Sequence, residues 1–103
     1  MKKIYIIGAI TQATKKQLEL FDTAECKLEL LGFNPYNPYK EIAKLGITDK
    51  FEILEHLMPI LIQADAVCIL PTVAKSFDGQ FELQIIKHLQ KHKIYLFSEL
   101  FEV

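Results

Sequence analysis

Residues 66–82 read AVCILPTVAKSFDGQFE, an apolar run followed by a polar turn and the start of a helical pattern. The run predicts a strand over 66–70, buried on both faces, as in parallel sheets that helices cover on each side. In open α/β sheets, ligands bind outside the carboxyl ends of the strands. Because the turn brings a hydroxyl, two carboxylates and a glycine to that end, Glu82, expected in the first turn of the next helix, becomes the leading candidate for chemistry.

The rest of the chain alternates strand and helix patterns. A strand over 4–7 ends at Gly8, and a helix from about Gln12 to Leu31 stops at Gly32. Two prolines within 33–39 predict a short strand at a sheet edge. A second helix covers 51–62, where Pro59 predicts a kink or two short helices meeting near 56–59. A third helix over about 78–91 precedes a last strand over 94–97, and we expect it to bury Phe81, Ile85, Ile86 and Leu89.

This alternation predicts a three-layer α/β fold of one domain over residues 1–103. The parallel four-stranded sheet is expected to have the order 2-1-3-4, flavodoxin-like in outline, with right-handed crossovers and helices on both faces. Half of the residues are hydrophobic. That composition suffices for a single core.

The composition also limits which classes of partner the protein is expected to have. The formal net charge is −1, without the basic stripe that binds a nucleic-acid backbone, so no nucleic-acid polymer is expected. No apolar run approaches the ~20 residues of a membrane span, and the run before Gly8 is too short for a signal peptide. We therefore expect a cytoplasmic protein that does not enter a membrane. Cys68 lies in the apolar run, where a reduced thiol packs as a small hydrophobe.

The loop after the first strand, Gly8 to Gln12, is neither a Walker A nor a GxGxxG sequence. Its glycine, the Thr11 hydroxyl and the N–H groups that open the next helix can hold an anion such as phosphate, although a glycine after a strand often only permits a turn. Tyr36 and Asn37 can stack on or hydrogen-bond a base, or merely line a loop. The residues predicted to bind substrate are Gly8, Ala9, Ile10, Thr11, Tyr36, Asn37, Ser76 and Gly79.

Histidines and acids give weaker signals. His88 and His92 are four residues apart and would share a helix face, but the spacing suggests no third ligand, so neither a metal nor a cofactor is expected. Asp78 is the candidate proton donor, yet it can equally cap the third helix, and capping is the stronger interpretation. Asp65 precedes its strand and is expected to be structural.

Four segments in order resemble a known family: residues 3–11, residues 31–33 leading to 37–38, residues 64–71, and Ser76 with Glu82 six residues on. They resemble a small bacterial and phage family of the nucleoside 2-deoxyribosyltransferase-like superfamily over nearly the whole chain. The resemblance implies a doubly wound domain that binds a nucleoside or nucleotide and cleaves its N-glycosidic bond. It further implies that Glu82 attacks the anomeric carbon and that Ser76 contacts a 5′-phosphate.

The chemistry of Glu82 agrees with a role as nucleophile, since a carboxylate is a competent nucleophile toward an anomeric carbon. The ordinary alternative is that Glu82 only complements the helix dipole. The chain departs from the family pattern at Val73, at Asp78-Gly79 and at Leu57, where relatives carry a tryptophan, a glycine-alanine pair and an aspartate. These changes leave open a catalytically degenerate nucleotide-binding or structural protein.

An assembly is also expected. The last strand would be a sheet edge, and the tail over 100–103 carries apolar side chains beside it. Exposed edges and apolar groups of this kind favour a homodimer or a larger homo-oligomer.

Overall fold

The computed structural model describes residues 2–11, 13–75 and 77–101, without the side chains of 74, 75, 77, 78 and 101. Short 3₁₀ segments occupy Pro71–Lys75 and Phe97–Phe101. The strands and helices are β1 (Lys3–Ile7), α1 (Lys15–Leu30), β2 (Asn34–Tyr36), α2 (Pro38–Leu45), α3 (Lys50–Gln63), β3 (Ala66–Ile69), α4 (Phe77–Leu89) and β4 (Lys93–Leu96).

The four strands form one parallel sheet in the order β2-β1-β3-β4. In its register, Tyr5 of β1 lies between Tyr36 of β2 and Val67 of β3. The predicted α/β fold and strand order are therefore confirmed. The short β2, which contains Pro35, lies at a sheet edge, where a missing N–H does least harm.

Alternation along β1 divides the interior into two apolar cores. Ile4 and Ile6 face α1 and the segment Phe97–Phe101 on one side of the sheet. Tyr5 and Ile7 face residues of α2, α3 and α4 on the other side. Successive side chains of a strand point to opposite faces, so a buried strand serves both cores. Among the described residues, no helix combines the length and apolar character needed to cross a membrane.

Helix α2 was not predicted from the sequence, because its two neighbouring prolines resemble an extended segment. Pro38 occupies the first helical turn, where a missing N–H removes nothing, and Asn37 caps the helix. Gly46 ends the helix with a φ of 71°, a left-handed conformation that glycine adopts without a steric penalty. Pro38 therefore starts a helix, although in the sequence it suggests an interruption of one.

Of the two expectations at Pro59, a kink or two short helices, the second was wrong, because α3 runs as one helix from Lys50 to Gln63. Pro59 lies on the exposed side of the helix, whereas Leu57 and Leu61 are buried beneath it. The proline ring therefore faces solvent, and the packing of the buried face maintains the helix on both sides of it.

Helix α4 differs from its prediction in the face that it buries. Phe81 and Leu89 remain 42% and 41% exposed, while Glu82 and Ile86 are 2% exposed. The helix also ends at Leu89, so His92 lies beyond it and does not share a helix face with His88. In the tail, Leu100 is buried in the α1 core and does not present an apolar group beside the sheet edge. Residues 102–103 and the side chain of Phe101 lie outside the described part of the chain.

Candidate functional site

The loops that follow β1 and β3 are joined directly. The N–H of Ala9 donates a hydrogen bond to the Thr72 hydroxyl at 3.1 Å, across the position where the strand order reverses. Ligands of open α/β sheets collect at this position. The bond fixes the two loops to each other, and it occupies the N–H of Ala9, a residue predicted to bind substrate.

Gly8 allows this close approach. A Cβ atom at Gly8 would lie 2.7 Å from Leu70 Cδ1, 3.0 Å from Phe21 Cζ and 3.1 Å from the Thr72 hydroxyl. Carbon atoms in contact normally stand about 3.5–4.0 Å apart, so no larger residue fits without movement of the core. Gly8 is required here for space between the strand end and its neighbours.

Glu82 lies in the second turn of α4, and the expectation of the first turn is corrected by a helix start at Phe77. Its side chain is 2% exposed and accepts a hydrogen bond from the Tyr5 hydroxyl. Burying a carboxylate is costly unless it is paired and hydrogen-bonded. The hydrogen bond between Tyr5 and Glu82, which are 77 positions apart in the sequence, thus links α4 to the central strand β1.

Tyr5 is itself fully buried, and its ring stacks on that of Tyr36 with centroids 5.6 Å apart and an interplanar angle of 19°. Both rings belong to neighbouring strands, in register on the same face of the sheet. Such a pair leaves the Tyr5 ring little freedom. The hydroxyl that holds Glu82 is therefore fixed by the sheet.

The hydroxyl of Tyr36 is buried and makes no hydrogen bond to the residues that the structure describes. Burial, with a smaller contribution from the negative charge of Glu41, raises the pKa of Tyr36 to about 12. The phenol thus keeps its proton at neutral pH. Within the described residues this hydroxyl is a donor without an acceptor, on a ring that stacks against Tyr5, and Tyr36 was predicted to bind substrate.

Asn37, also predicted to bind substrate, uses its amide within the protein. Its oxygen accepts from the N–H of Lys40 at 3.2 Å, and its nitrogen donates to Asp22 at 2.9 Å and Glu25 at 3.3 Å. The side chain caps α2 and ties it to α1, and only 6% of the residue is exposed. These contacts account for Asn37 by structure alone.

The N–H groups predicted to hold an anion at the start of α1 are also used within the protein. The hydroxyl of Thr14 accepts from the N–H of Gln17, whose side chain in turn accepts from the N–H of Thr14. This capping box satisfies two of the donors that open the helix. The helix begins at Lys15, and Gln12 lies outside the described residues.

Ile10 and Thr11 line a cleft of about 460 Å³ beside the carboxyl end of the sheet. Its remaining walls come from α2, the start of α3 and the loop between them. They are lined by Tyr39, Ile42, Ala43, Ile47, Thr48 and Ile53. A mostly apolar cleft with a few hydroxyls is typical of small-molecule sites.

A second cavity, of about 370 Å³, opens at the opposite, amino end of the sheet between Lys3, Asn34 and Gln63. Tyr5 and Tyr36 line it from the side of the sheet. Its lining contains no carboxylate, and its position is not where open α/β sheets bind ligands. The cleft beside Ile10 and Thr11 is the better candidate.

Three remaining predictions concern residues near the start of α4. Gly79 is buried in the first turn of the helix. Asp78 is the second residue of α4, so it is not the N-cap, and its side chain lies outside the described residues, as does Ser76. The roles proposed for Ser76 and Asp78 stay predictions.

Leu57 is 1% exposed and belongs to the same apolar core as Tyr5. Among the described residues, no cluster of three histidine, cysteine or acidic side chains could hold a metal. His92 instead lies 2.9 Å from the Leu61 carbonyl oxygen.

Sequence reasoning missed Tyr5. Its signal is one hydroxyl-bearing residue within the apolar run Ile4 to Ile7. A tyrosine buried in a central strand must find a hydrogen-bond partner for its hydroxyl. That requirement could have been paired with Glu82, already the leading candidate for chemistry from the sequence.

The fold and site define a small doubly wound parallel α/β domain with a carboxylate and a phenol paired beneath its central strands. The chain belongs to the family described as Domain of unknown function (DUF4406), which it matches over residues 2–95. A search of curated proteins found no match.

Proposed function

We infer that the protein cleaves the N-glycosidic bond of a nucleoside or deoxynucleoside, or of its 5′-monophosphate, by hydrolysis or transfer to another base, with Glu82 as the nucleophile. The observation that carries this inference is the burial of the Glu82 carboxylate against the hydroxyl of Tyr5. Membership of the nucleoside 2-deoxyribosyltransferase-like superfamily remains part of the proposal, resting on the resemblance of the four sequence segments.

The burial of Glu82 has a structural cost that argues for a role. Phe81, one position earlier, is 42% exposed. A core built only for stability would bury the phenylalanine and expose the acid, because apolar burial is favourable and carboxylate burial is not. Proteins tolerate such inversions mainly where function requires them.

In the proposed reaction, one oxygen of Glu82 attacks the anomeric carbon while the bond from that carbon to the base nitrogen breaks. The base leaves with the bonding electron pair and takes up a proton, for which Asp78 is the predicted donor. Water, or a second base in its place, then attacks the glycosyl ester and restores the Glu82 carboxylate, and the proton that this nucleophile loses passes to Asp78, which gave up its own in the first step. The Tyr5 hydroxyl orients the carboxylate, and a charge-assisted bond of this type is strong.

The remaining groups of the proposed site bind the substrate. The Tyr36 phenol, protonated at neutral pH, donates to the sugar or base, and the cleft lined by Ile10 and Thr11 receives an apolar part of the substrate. Ser76 would contact a 5′-phosphate where one is present. No cofactor takes part, and we propose that the reaction occurs in the cytoplasm on a small-molecule substrate.

The test is release of free base, followed by chromatography, from a panel of nucleosides, deoxynucleosides and their 5′-monophosphates. Glu82→Gln should abolish release, whereas Glu55→Gln, an exposed acid on α3, should leave it unchanged. Equal activity of the wild type and Glu82→Gln would refute the proposed enzymatic function. So would the absence of base release by both proteins on every substrate.

A second function is favoured by one observation. Glu82 is 2% exposed, so its carboxylate has little access to a substrate, which suits a protein that binds a nucleotide or assembles without turnover. Calorimetry then should give saturable binding of a nucleoside monophosphate with no product. Product formation would exclude this alternative.

A further inference from the structure

The first turns of α4 are fixed to the short 3₁₀ segment that precedes them. The side-chain amide of Gln80 donates a hydrogen bond to the Val73 carbonyl at 3.0 Å. Val73 belongs to the segment Pro71–Lys75, and it is 9% exposed within the same apolar core as Tyr5. Gln80 itself is exposed, so its side chain contributes this hydrogen bond and little packing in the core.

The same segment is held from another side by the loop that follows β1. The Thr72 hydroxyl accepts a hydrogen bond from the N–H of Ala9 at 3.1 Å. Ala9 is 6% exposed, and a buried N–H depends on its acceptor because water cannot replace it. Thr72 and Val73 are neighbours in the chain, so two successive residues of the segment connect the β1 loop with α4.

Glu82 closes these contacts into a ring. It lies two residues beyond Gln80 on α4 and accepts from the Tyr5 hydroxyl of β1, the strand whose following loop holds the 71–75 segment. Residues two positions apart on a helix point to different sides of it. The start of α4 is therefore held on one side by the sheet and on another by the segment.

We propose that Gln80, through the 71–75 segment, positions Glu82 against the bound substrate, a role that rests on the proposed function. The loop from Gly8 to Thr11 carries the groups predicted to bind substrate, whereas the nucleophile lies on α4. Because the 71–75 segment is bonded to both, it sets the separation between substrate and carboxylate. Attack requires reacting atoms about 3–3.5 Å apart, and a displacement of about 1 Å can cost about 100-fold in rate.

Steady-state kinetics of Gln80→Met test this role, because methionine keeps the length of the side chain and removes its N–H donors. Loss of alignment without loss of a substrate contact should lower kcat at least about 10-fold and change KM less than about 3-fold. Gln80→Arg, which keeps N–H donors on a longer side chain, should restore kcat to within about 3-fold of the wild type. Gln84→Met, at an exposed glutamine one turn further along α4, should leave both constants unchanged.

Hydrogen exchange at Ala9 tests the same connection without any substrate. Gln80 is connected to Ala9 through the 71–75 segment, so loss of its bond should loosen the segment and with it the hydroxyl that accepts from Ala9. By NMR, at a temperature where every variant is folded, the Ala9 amide should exchange at least about 10-fold faster in Gln80→Met than in the wild type. It should exchange at the wild-type rate in Gln84→Met.

An unchanged Ala9 exchange rate in Gln80→Met would overturn the proposal whatever the activity of the protein. A Gln80→Met enzyme with the wild-type kcat, or one whose activity falls only through a rise in KM, would overturn it as well. Absence of base release by the wild type would instead refute the proposed function, and the positioning role with it. Faster Ala9 exchange in Gln80→Met separates that failure from a failure of the positioning role alone.

Discussion

Replacing Tyr5 by phenylalanine isolates the contact on which the site depends. The change removes the hydroxyl that donates to Glu82 and keeps the ring that stacks on Tyr36. A hydrogen bond to a charged group contributes about 1.5–3 kcal/mol, and loss of the donor leaves a buried acceptor with one partner fewer. We expect the free energy of unfolding to fall by that amount. For a domain of this size, the melting temperature should fall by roughly 6–24 °C.

A double-mutant cycle assigns the loss to this pair. Glu82→Met should leave the Tyr5 hydroxyl without its acceptor, whereas Tyr5→Phe/Glu82→Met replaces both groups by apolar ones of similar shape, a change that is often neutral or stabilising. Urea unfolding of all four proteins should give a coupling energy of about 1.5–3 kcal/mol. A coupling below about 0.5 kcal/mol, with Tyr5→Phe as stable as the wild type, would refute the reasoning.

Three further outcomes are expected from single changes. Gly8→Ala should lower the free energy of unfolding, measured in urea, by about 1–3 kcal/mol, because the added Cβ would lie 2.7 Å from Leu70 Cδ1. An unchanged free energy of unfolding would show that the site has room for a Cβ. Asn37→Ala should cost about 1–2 kcal/mol through lost capping of α2, and a fall in nucleotide affinity without a fall in stability would show instead that Asn37 binds ligand. The pKa of Tyr36, raised to about 12, means that the unfolded phenol loses its proton first. Stability should therefore fall as pH rises from 10 toward 12, and this fall should be smaller in Tyr36→Phe.

The fold was predictable because its signals are local. Apolar runs at 4–7 and 66–70 were read as buried strands, and the structure has β1 and β3 there with order β2-β1-β3-β4. Helix α2 was not predictable in this way. Only Pro38 and Ile42 are buried in it, too few for a periodic pattern, and the local prolines favoured an extended segment.

The site was predictable only in part. Glu82 could be named from its place after a strand, but its partner Tyr5 lies 77 positions away, and no spacing rule connects them. The face of α4 was misjudged for a related reason. Apolar periodicity selects Phe81, Ile85, Ile86 and Leu89 for burial. Of these the structure buries Ile86, and it buries Glu82 beside it. A buried acid and an exposed apolar stripe both break the pattern on which sequence reasoning rests.

The most direct test of the central claim is a covalent adduct on Glu82. A 2-fluoro-substituted nucleoside slows the release of a glycosyl ester more than its formation, so intact-mass spectrometry of the treated protein should find a gain of one glycosyl group. Peptide mapping should locate that group on Glu82, and Glu82→Gln should gain none. A protein that releases base without forming this adduct, or that carries the group on another residue, would contradict the proposed role of Glu82.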